Sequence, residues 1–397
     1  MAVKKRLQVS GISLTFLLVV AHATNDAFGS MLAALLPTLQ LRFGASETLL
    51  ALFVATYSFS SSVLQPIFGA VSDRLGRRVT GGVGVMLSSS VLSLIGVAPT
   101  PLVLLLLLLL GGLGSAAFHP SGTGMARDAA RGTKGLAVGL FSAGGTLGIA
   151  VGPLVIGLFI INGWLAWSPL LMIPGLLMGT LMLLLIPQGP ARNSPDRPRT
   201  KLFDAELFRG PVGMLTVAGT LRSISWVAFN NAMPLWLVST RGLPADSPVV
   251  FGTLAVFGMA GGLGGIIAGL LDGRLHRQLL VTGTMLLALV PLFALFFLTP
   301  GSLIYFSCVF LAGALINGGL PLMVVSAQDL APHAVGTASG MLMGLTWGSA
   351  GVIYLGIGAM QQAVGIVPAL VLSFVTLVPG ALIARSVLHR NREALGI

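Results

Sequence analysis

The sequence predicts an all-α membrane protein of twelve transmembrane helices arranged as two pseudo-symmetric six-helix bundles. Three observations lead there. Hydrophobic residues make up 55% of the 397 positions and charged residues only 8%, against roughly 25% charged in an ordinary soluble domain, and the mean hydropathy is +0.96. The charges are spaced so that they leave apolar runs long enough for helices of about 20 residues, the length that crosses a hydrocarbon core. The chain also matches itself at an offset of about 200 positions, the mark of two related halves.

With charges as rulers, the spans follow in order. Residues 7–41 hold the first and residues 48–72 the second. The stretch from Val79 to Ala126 carries no acid, Lys or Arg and is too long for one crossing, so it folds back at Pro99-Thr100-Pro101 to give the third and fourth. Residues 135–191 divide near Asn162-Gly163 and Trp167-Ser168-Pro169 for the fifth and sixth. Residues 210–240 and 247–271 give the seventh and eighth, 278–328 divides at Pro300-Gly301-Ser302, and 330–384 divides near Gly365. Helices are expected throughout, because unpaired strand edges cannot face lipid and the long apolar runs lack the short alternation of a barrel. The basic start, Met1 to Arg6, followed by apolar residues resembles a signal peptide. The apolar character continues past Asp26 to Leu41 without a small-residue cleavage site, so the first span reads as uncleaved. Residues 1–187 then form the N-terminal bundle, 188–208 a polar, Pro-rich cytoplasmic linker, and 209–397 the C-terminal bundle.

The loops orient the chain. Of the 22 Lys and Arg, Arg42 and Arg241 fall on one side and Arg222 within a span, which leaves nineteen on the side of the N-terminus. Positive charge stays inside, so both termini are expected in the cytoplasm of a bacterium, with the chain in its inner membrane. The formal charge of +11 reflects that asymmetry and the anionic lipid it meets, and no nucleic-acid partner is expected. One cysteine, Cys308, lies in an apolar run, so neither an intramolecular disulfide nor a Cys metal cage is possible. The 53 glycines suit close helix contacts in lipid.

The repeat is ordered. Gly69, Arg74, Leu75 and Arg77 meet Gly269, Arg274, Leu275 and Arg277 at an offset of 200, and Gly112, Pro120, Asp128 and Gly139 meet Gly313, Pro321, Asp329 and Gly340 at 201. Two parallel halves around an axis along the membrane normal leave a cavity between them, the arrangement that alternating access requires.

Between the second and third spans stands Gly69-Ala70-Val71-Ser72-Asp73-Arg74-Leu75-Gly76-Arg77-Arg78. It resembles the G-x-x-x-D-R-x-G-R-R signature of the major facilitator superfamily, which implies that fold and a conformational gate at Gly69, Asp73, Arg74, Gly76, Arg77 and Arg78. Physically, Asp73 at a helix end can accept from a helix N-terminus or an Arg in one state and release it in another. The fifth span holds Gly144, Gly148, Gly152-Pro153 and Gly157, similar to the antiporter motif of the same superfamily, with Ile156 in place of one glycine. His22-Ala23-Thr24-Asn25-Asp26, Leu35-Leu36-Pro37, Gln65-Pro66 and Phe118-His119-Pro120 look like the fosmidomycin resistance branch, a group of proton-driven exporters. Ser121 stands where that branch often has an acid.

Subtracting the loops leaves one acid and one base inside spans, Asp26 and Arg222. A charge at mid-bilayer costs at least about 2.5 kcal/mol on the insertion scale, so each should face a wet cavity or a partner. His22 and Asp26, four apart, share a helix face with Asn25 adjacent. A carboxylate beside an imidazole suits reversible proton binding, so Asp26 assisted by His22 is the candidate proton carrier; the alternative is that Asp26 pairs with Arg222 to fix the halves. His119 is a substrate or proton-relay candidate, or else a histidine of helix packing. Arg222, Trp226 and Asn230 recur every four residues and offer a cation, an aromatic face and an amide, a stripe that fits an anionic or amphipathic molecule. Asn317 and Asn25 join them as substrate-binding candidates.

Together these point to a proton-coupled exporter of a small drug-like or anionic compound, monomeric, with protons, substrate and membrane lipids as its partners. An uptake symporter for an organic acid fits the same residues. There is no ATP-binding loop, no H-E-x-x-H site and no catalytic carboxylate pair, so neither enzyme, cofactor nor metal is expected, and a transport-inactive receptor would need no repeated scaffold with charges in its spans.

Overall fold

The computed structural model describes residues 12–129, 134–187 and 205–395. Eleven helices among them are long and apolar enough to cross a membrane, and one bent pair makes twelve if it is a single span. They are α1 (Ser13–Phe43), α2 (Glu47–Val63 with Gln65–Leu75), α3 (Arg77–Val97), α4 (Pro101–Ala129), α5 (Gly139–Ile161) and α6 (Leu165–Leu185). The second set is α7 (Pro211–Ser239), α8 (Pro248–Leu271), α9 (Arg277–Phe297), α10 (Leu303–Leu330), α11 (Val335–Val364) and α12 (Ile366–Arg390). The chain is thus an all-helical multi-pass membrane protein. The expected linker falls outside the described residues up to 204, and a short helix, Ala205–Arg209, precedes α7.

Most breaks sit where polar and turn-forming residues place them. Pro99-Thr100-Pro101 separates α3 from α4, and Gly365, at φ 92°, separates α11 from α12. The α5–α6 turn uses Asn162 and Gly163, at φ 68°. Trp167-Ser168-Pro169, expected at that turn, instead lies inside the 3-10 stretch Leu165–Leu171 that opens α6. Helix α2 bends by 41°. The π-helical turn Phe59–Val63 precedes the bend and Pro66 follows it, and the proline ring and its missing N–H account for the break.

Compactness groups Met1–Leu32 with Ser60–Thr200, and Ala33–Phe59 with Lys201–Ile397. Within the first unit, α5 lies along α1 through a ladder of glycines. A Cβ on Gly144, Gly148 or Gly152 would strike the main-chain carbonyl of Val19, Ala23 or Ala27 respectively. The small-residue rung every four positions on α5 therefore meets a backbone rung every four positions on α1, and the two helices touch main chain to main chain. Gly148→Val should cost about 1–3 kcal/mol or more, as overpacking against a fixed backbone does. Thermal unfolding of the purified chain in detergent measures it, and an unchanged midpoint would mean that this crossing does not form.

In the second unit the same logic recurs. Gly264 and Gly313 bring α8 and α10 together against the carbonyls of Ala314 and Phe257. Residues 47–58 of α2 rest on α11, with Ser58 over Gly351, Ala51 over Gly358, and Thr48 Oγ1 donating to Gln362 Oε1 at 2.6 Å. That contact explains why the stretch between Ala33 and Phe59 belongs with the later helices although the chain reaches it first.

Candidate functional site

The polar centre of the first unit is built by α1, α4 and α5. Helical spacing puts His22 and Asp26 on one face of α1, and Nε2 of His22 lies 3.2 Å from Oδ2 of Asp26. From α4, His119 brings its Nε2 to 3.2 Å from Asp26 Oδ1. One carboxylate therefore stands between two imidazoles. Asn25, fully buried, donates from Nδ2 to Asp26 Oδ1 and to Ser115 Oγ, each at 3.0 Å. Its own Oδ1 is buried without a partner among the described residues. Phe118 and Phe141 wall the site, and the His22 ring stacks on Phe141 with centroids 4.1 Å apart.

The outward-turned nitrogens decide the chemistry. His22 Nδ1 lies 2.7 Å from the Phe141 carbonyl, and His119 Nδ1 lies 2.9 Å from the Ser115 carbonyl. A carbonyl only accepts, so each ring donates from Nδ1 and, when neutral, presents a bare lone pair at Nε2. Both lone pairs face a carboxylate, which when ionised also only accepts. Attraction across the two 3.2 Å contacts then needs protons between the groups, carried on the rings or on an oxygen of the carboxyl. The side chains of Asp26 and His119 keep 15% and 24% of their surface, so the cluster is not closed over on every side. Room for it comes from Gly145 on α5, where a Cβ would sit 2.5 Å from His22 Nε2 and 2.7 Å from Asp26 Oδ2.

The glycine and arginine motif lies at the α2–α3 turn. Gly76 adopts φ 92°, a left-handed conformation that a side chain would strain. Arg77 donates to Asp128 at the end of α4 at 2.6 Å and stands 4.0 Å from Asp73. Arg78 donates to the Ile186 carbonyl at 3.3 Å, and Gly69 leaves a place against Pro120. In the second unit Arg277 binds Asp329 at 3.1 Å and Asp272 at 2.9 Å. Arg77–Asp128 and Arg277–Asp329 are thus one ion pair built twice, at the offsets seen in the repeat. Asp128 is the partner that motif reading missed, and its register with Asp329 was the signal for it.

Arg222 lies at the centre of the second unit and has no exposed surface. It donates to Asn317 Oδ1 at 3.0 Å and to Ser223 Oγ at 3.0 Å, and its guanidinium sits 5.4 Å from the Trp347 ring centre. Its Nε has no partner, and it forms no ion pair, among the described residues. Trp226 packs against Phe257 and Trp347, its ring fitted over Gly261. Asn230 spends its amide on the Trp226 carbonyl at 2.9 Å. The stripe expected on α7 is therefore real as spacing, but Arg222 and Trp226 are inside the helix packing, and Asn317 is drawn in as the arginine's acceptor.

Comparisons with known proteins agree with this architecture. The family model of the Major Facilitator Superfamily matches residues 18–355. An uncharacterized MFS-type transporter of Bacillus subtilis (strain 168), YfnC, is 26% identical over 389 residues, covering 93% of this chain and 92% of the relative. The fosmidomycin resistance protein of Escherichia coli (strain K12) is 25% identical over 344 residues, 84% of this chain and 82% of its own. Among solved structures, a bacterial homologue of the human lysosomal transporter Spinster, inward-facing and unoccupied, superposes with a TM-score of 0.74 at 17% identity, covering 96% of this chain and 98% of that one. The nucleoside transporter NupG superposes with a TM-score of 0.74 at 15% identity, covering 94% and 99%. These two likenesses show the fold.

Proposed function

This chain belongs to the major facilitator superfamily, and we propose that it is a proton-coupled exporter of a small drug-like or anionic compound, working by alternating access. As a member it is a multi-pass transporter of a small molecule and not an enzyme. One observation carries the finer reading: a carboxylate on α1 held between two imidazoles whose other nitrogens are committed to main-chain carbonyls. Such a cluster can take up and release a proton with little movement of its atoms. Protonation favours one state and substrate the other, so each ligand shifts the population by its differential affinity.

The other roles follow from this. Asp26 carries the proton with His22, and His119 completes its coordination. Asn25 fixes the carboxylate. Arg222, with Asn317, Trp226 and Asn230, holds the substrate; its fully buried charge with an orphaned Nε would be neutralised by an anionic group when the unit opens to solute. The turn holding Gly69, Asp73, Arg74, Gly76, Arg77 and Arg78 is the conformational gate. Both termini face the cytoplasm of a bacterial cell, following the basic loops. The resemblance to the fosmidomycin resistance protein supports export.

A growth screen against toxic compounds, in a deletion strain with and without the chain, finds the substrate. Everted vesicles then test direction: acidifying the lumen should drive substrate in while protons leave. Substrate that instead moves together with protons would make the chain an uptake symporter. With a substrate in hand, Arg222→Met should weaken its binding about 10- to 100-fold, the worth of one charge-assisted hydrogen bond of about 1.5–3 kcal/mol. Unchanged affinity in that variant would remove Arg222 from the site.

A further inference from the structure

We propose that His22, Asp26 and His119 form a binding site for a divalent transition-metal ion of the zinc class. Nitrogen and oxygen atoms of the three residues all lie within 4.8 Å of one another. Zinc holds such ligands at about 2.0–2.2 Å in a tetrahedron whose edges are then about 3.3 Å. The two short nitrogen-to-oxygen separations are 3.2 Å each and run to the two different oxygens of Asp26, so an ion held by the carboxylate meets an imidazole on either side, and the remaining separations, within 4.8 Å, close by turning the rings toward it.

The surrounding hydrogen bonds are those a metal site needs. An imidazole that binds a metal through Nε2 normally donates from Nδ1 to a carbonyl or carboxylate, which fixes its tautomer and aims its lone pair. His22 does so to Phe141 and His119 to Ser115. The carboxylate ligand is itself held by the Asn25 amide, as ligating carboxylates are. Two imidazoles and one carboxylate select zinc, cobalt, nickel or copper over magnesium and calcium, which prefer oxygen alone. The ion would take three protein ligands and keep an open position, which the residual exposure of Asp26 and His119 supplies with water. Sequence spacing showed only half of this site. His22 and Asp26 share a helix face, but the third ligand arrives from α4, ninety-odd residues away.

Metal and protons compete for the same lone pairs, so binding expels protons and would hold the carrier in one state. The proposal concerns the site alone and stands or falls apart from the direction and coupling of transport.

The test uses the full chain purified in detergent, stripped with a chelator, and titrated with Zn2+ by calorimetry and with Co2+ by visible absorption. We expect one saturable site, proton release on binding shown by a dependence of heat on buffer, and loss of affinity in His119→Gln and in Asp26→Asn, each of which removes a ligand, of at least the roughly 100-fold that loss of an outer-shell partner can reach. The chain has five histidines, and the other three, His276, His333 and His389, are exposed. A variant with all three changed to Gln leaves the interior intact and must still bind one ion; this variant decides the matter if the interior variants do not fold. No saturable binding by the wild-type chain, binding lost in the triple surface variant, or binding retained in folded His119→Gln and Asp26→Asn would each overturn the proposal. Transport is not read, so none of these outcomes bears on the Asp26 transport experiment.

Discussion

Asp26→Asn is expected to cut proton-driven transport on the order of 100-fold, the upper range for a coupling free energy between two ligands, while exchange of substrate down its own gradient continues. The amide keeps the shape of the carboxyl and can donate from Nδ2 to the bare Nε2 of one of the two rings, so the α1–α4–α5 packing changes little. What it cannot do is alternate between an acceptor and a donor as protons arrive and leave. The carrier would then rock with or without substrate but no longer be paid for the uphill step. Two measurements in everted vesicles separate the effects: accumulation driven by an imposed pH difference, and counterflow with none. Accumulation at the wild-type rate in the variant would end the assignment of Asp26 as proton carrier. Loss of both activities, with a lowered melting temperature, would place Asp26 in the scaffold.

The residues of the site differ in how far sequence alone could place them. His22 with Asp26 was legible, because helical periodicity is local and four positions always share a face. His119 could be named from its neighbours Phe118 and Pro120 but not placed against Asp26, since its approach depends on how α4 crosses α1. Gly145 carried no signal of its own. It lies one residue after Gly144, off the rungs of the ladder of Gly144, Gly148 and Gly152, and its meaning appears only once His22 stands over it. The span count was legible for a different reason. Lipid forbids unsatisfied backbone and uncompensated charge, so polar residues mark the ends of helices almost regardless of tertiary structure. That rule fails where a turn-forming triplet is absorbed into a helix start, as at Trp167-Ser168-Pro169. Likewise the α7 stripe of Arg222, Trp226 and Asn230 follows from periodicity, yet periodicity says only that three residues share a face. Whether that face meets water or Phe257 and Trp347 is set by the partner helices, and here the glycine at 261 lets the indole in.

The repeat adds an argument about the gate. Arg77 with Asp128 and Arg277 with Asp329 are the same bond in two halves, each joining the start of a third helix to the end of a fourth within its own unit. Exposed pairs of this kind add little stability, about 0–1 kcal/mol. Their presence in both copies is better explained by holding the turn between second and third helices in shape, a turn that uses a positive-φ glycine in each half, Gly76 at 92° and Gly273 at 84°, at different positions.

Gly145→Ala is expected to leave the fold standing and lower proton-driven transport at least about 10-fold, within the range typical of coupling between linked sites. The added methyl would sit 2.5 Å from His22 Nε2 and 2.7 Å from Asp26 Oδ2, well inside van der Waals contact, so one of the two must turn away. His22 is held by Phe141 at 2.7 Å and Asp26 by Asn25 at 3.0 Å; either movement breaks the bridge between ring and carboxylate and leaves His119 as the only imidazole on Asp26. The obstructed atoms belong to side chains, which can swing, whereas the neighbour at Gly148 is the fixed carbonyl of Ala23. The two substitutions, one helical turn apart on α5, should therefore part company: Gly148→Val loses thermal stability, while Gly145→Ala keeps its melting temperature and loses coupling. Gly139→Ala, with nothing within 4 Å of its added carbon, is the silent control on the same helix. Full pH-driven accumulation by Gly145→Ala would show that the His22–Asp26 contact is dispensable, and the coupling role would then have to pass to His119 and Asp26 alone.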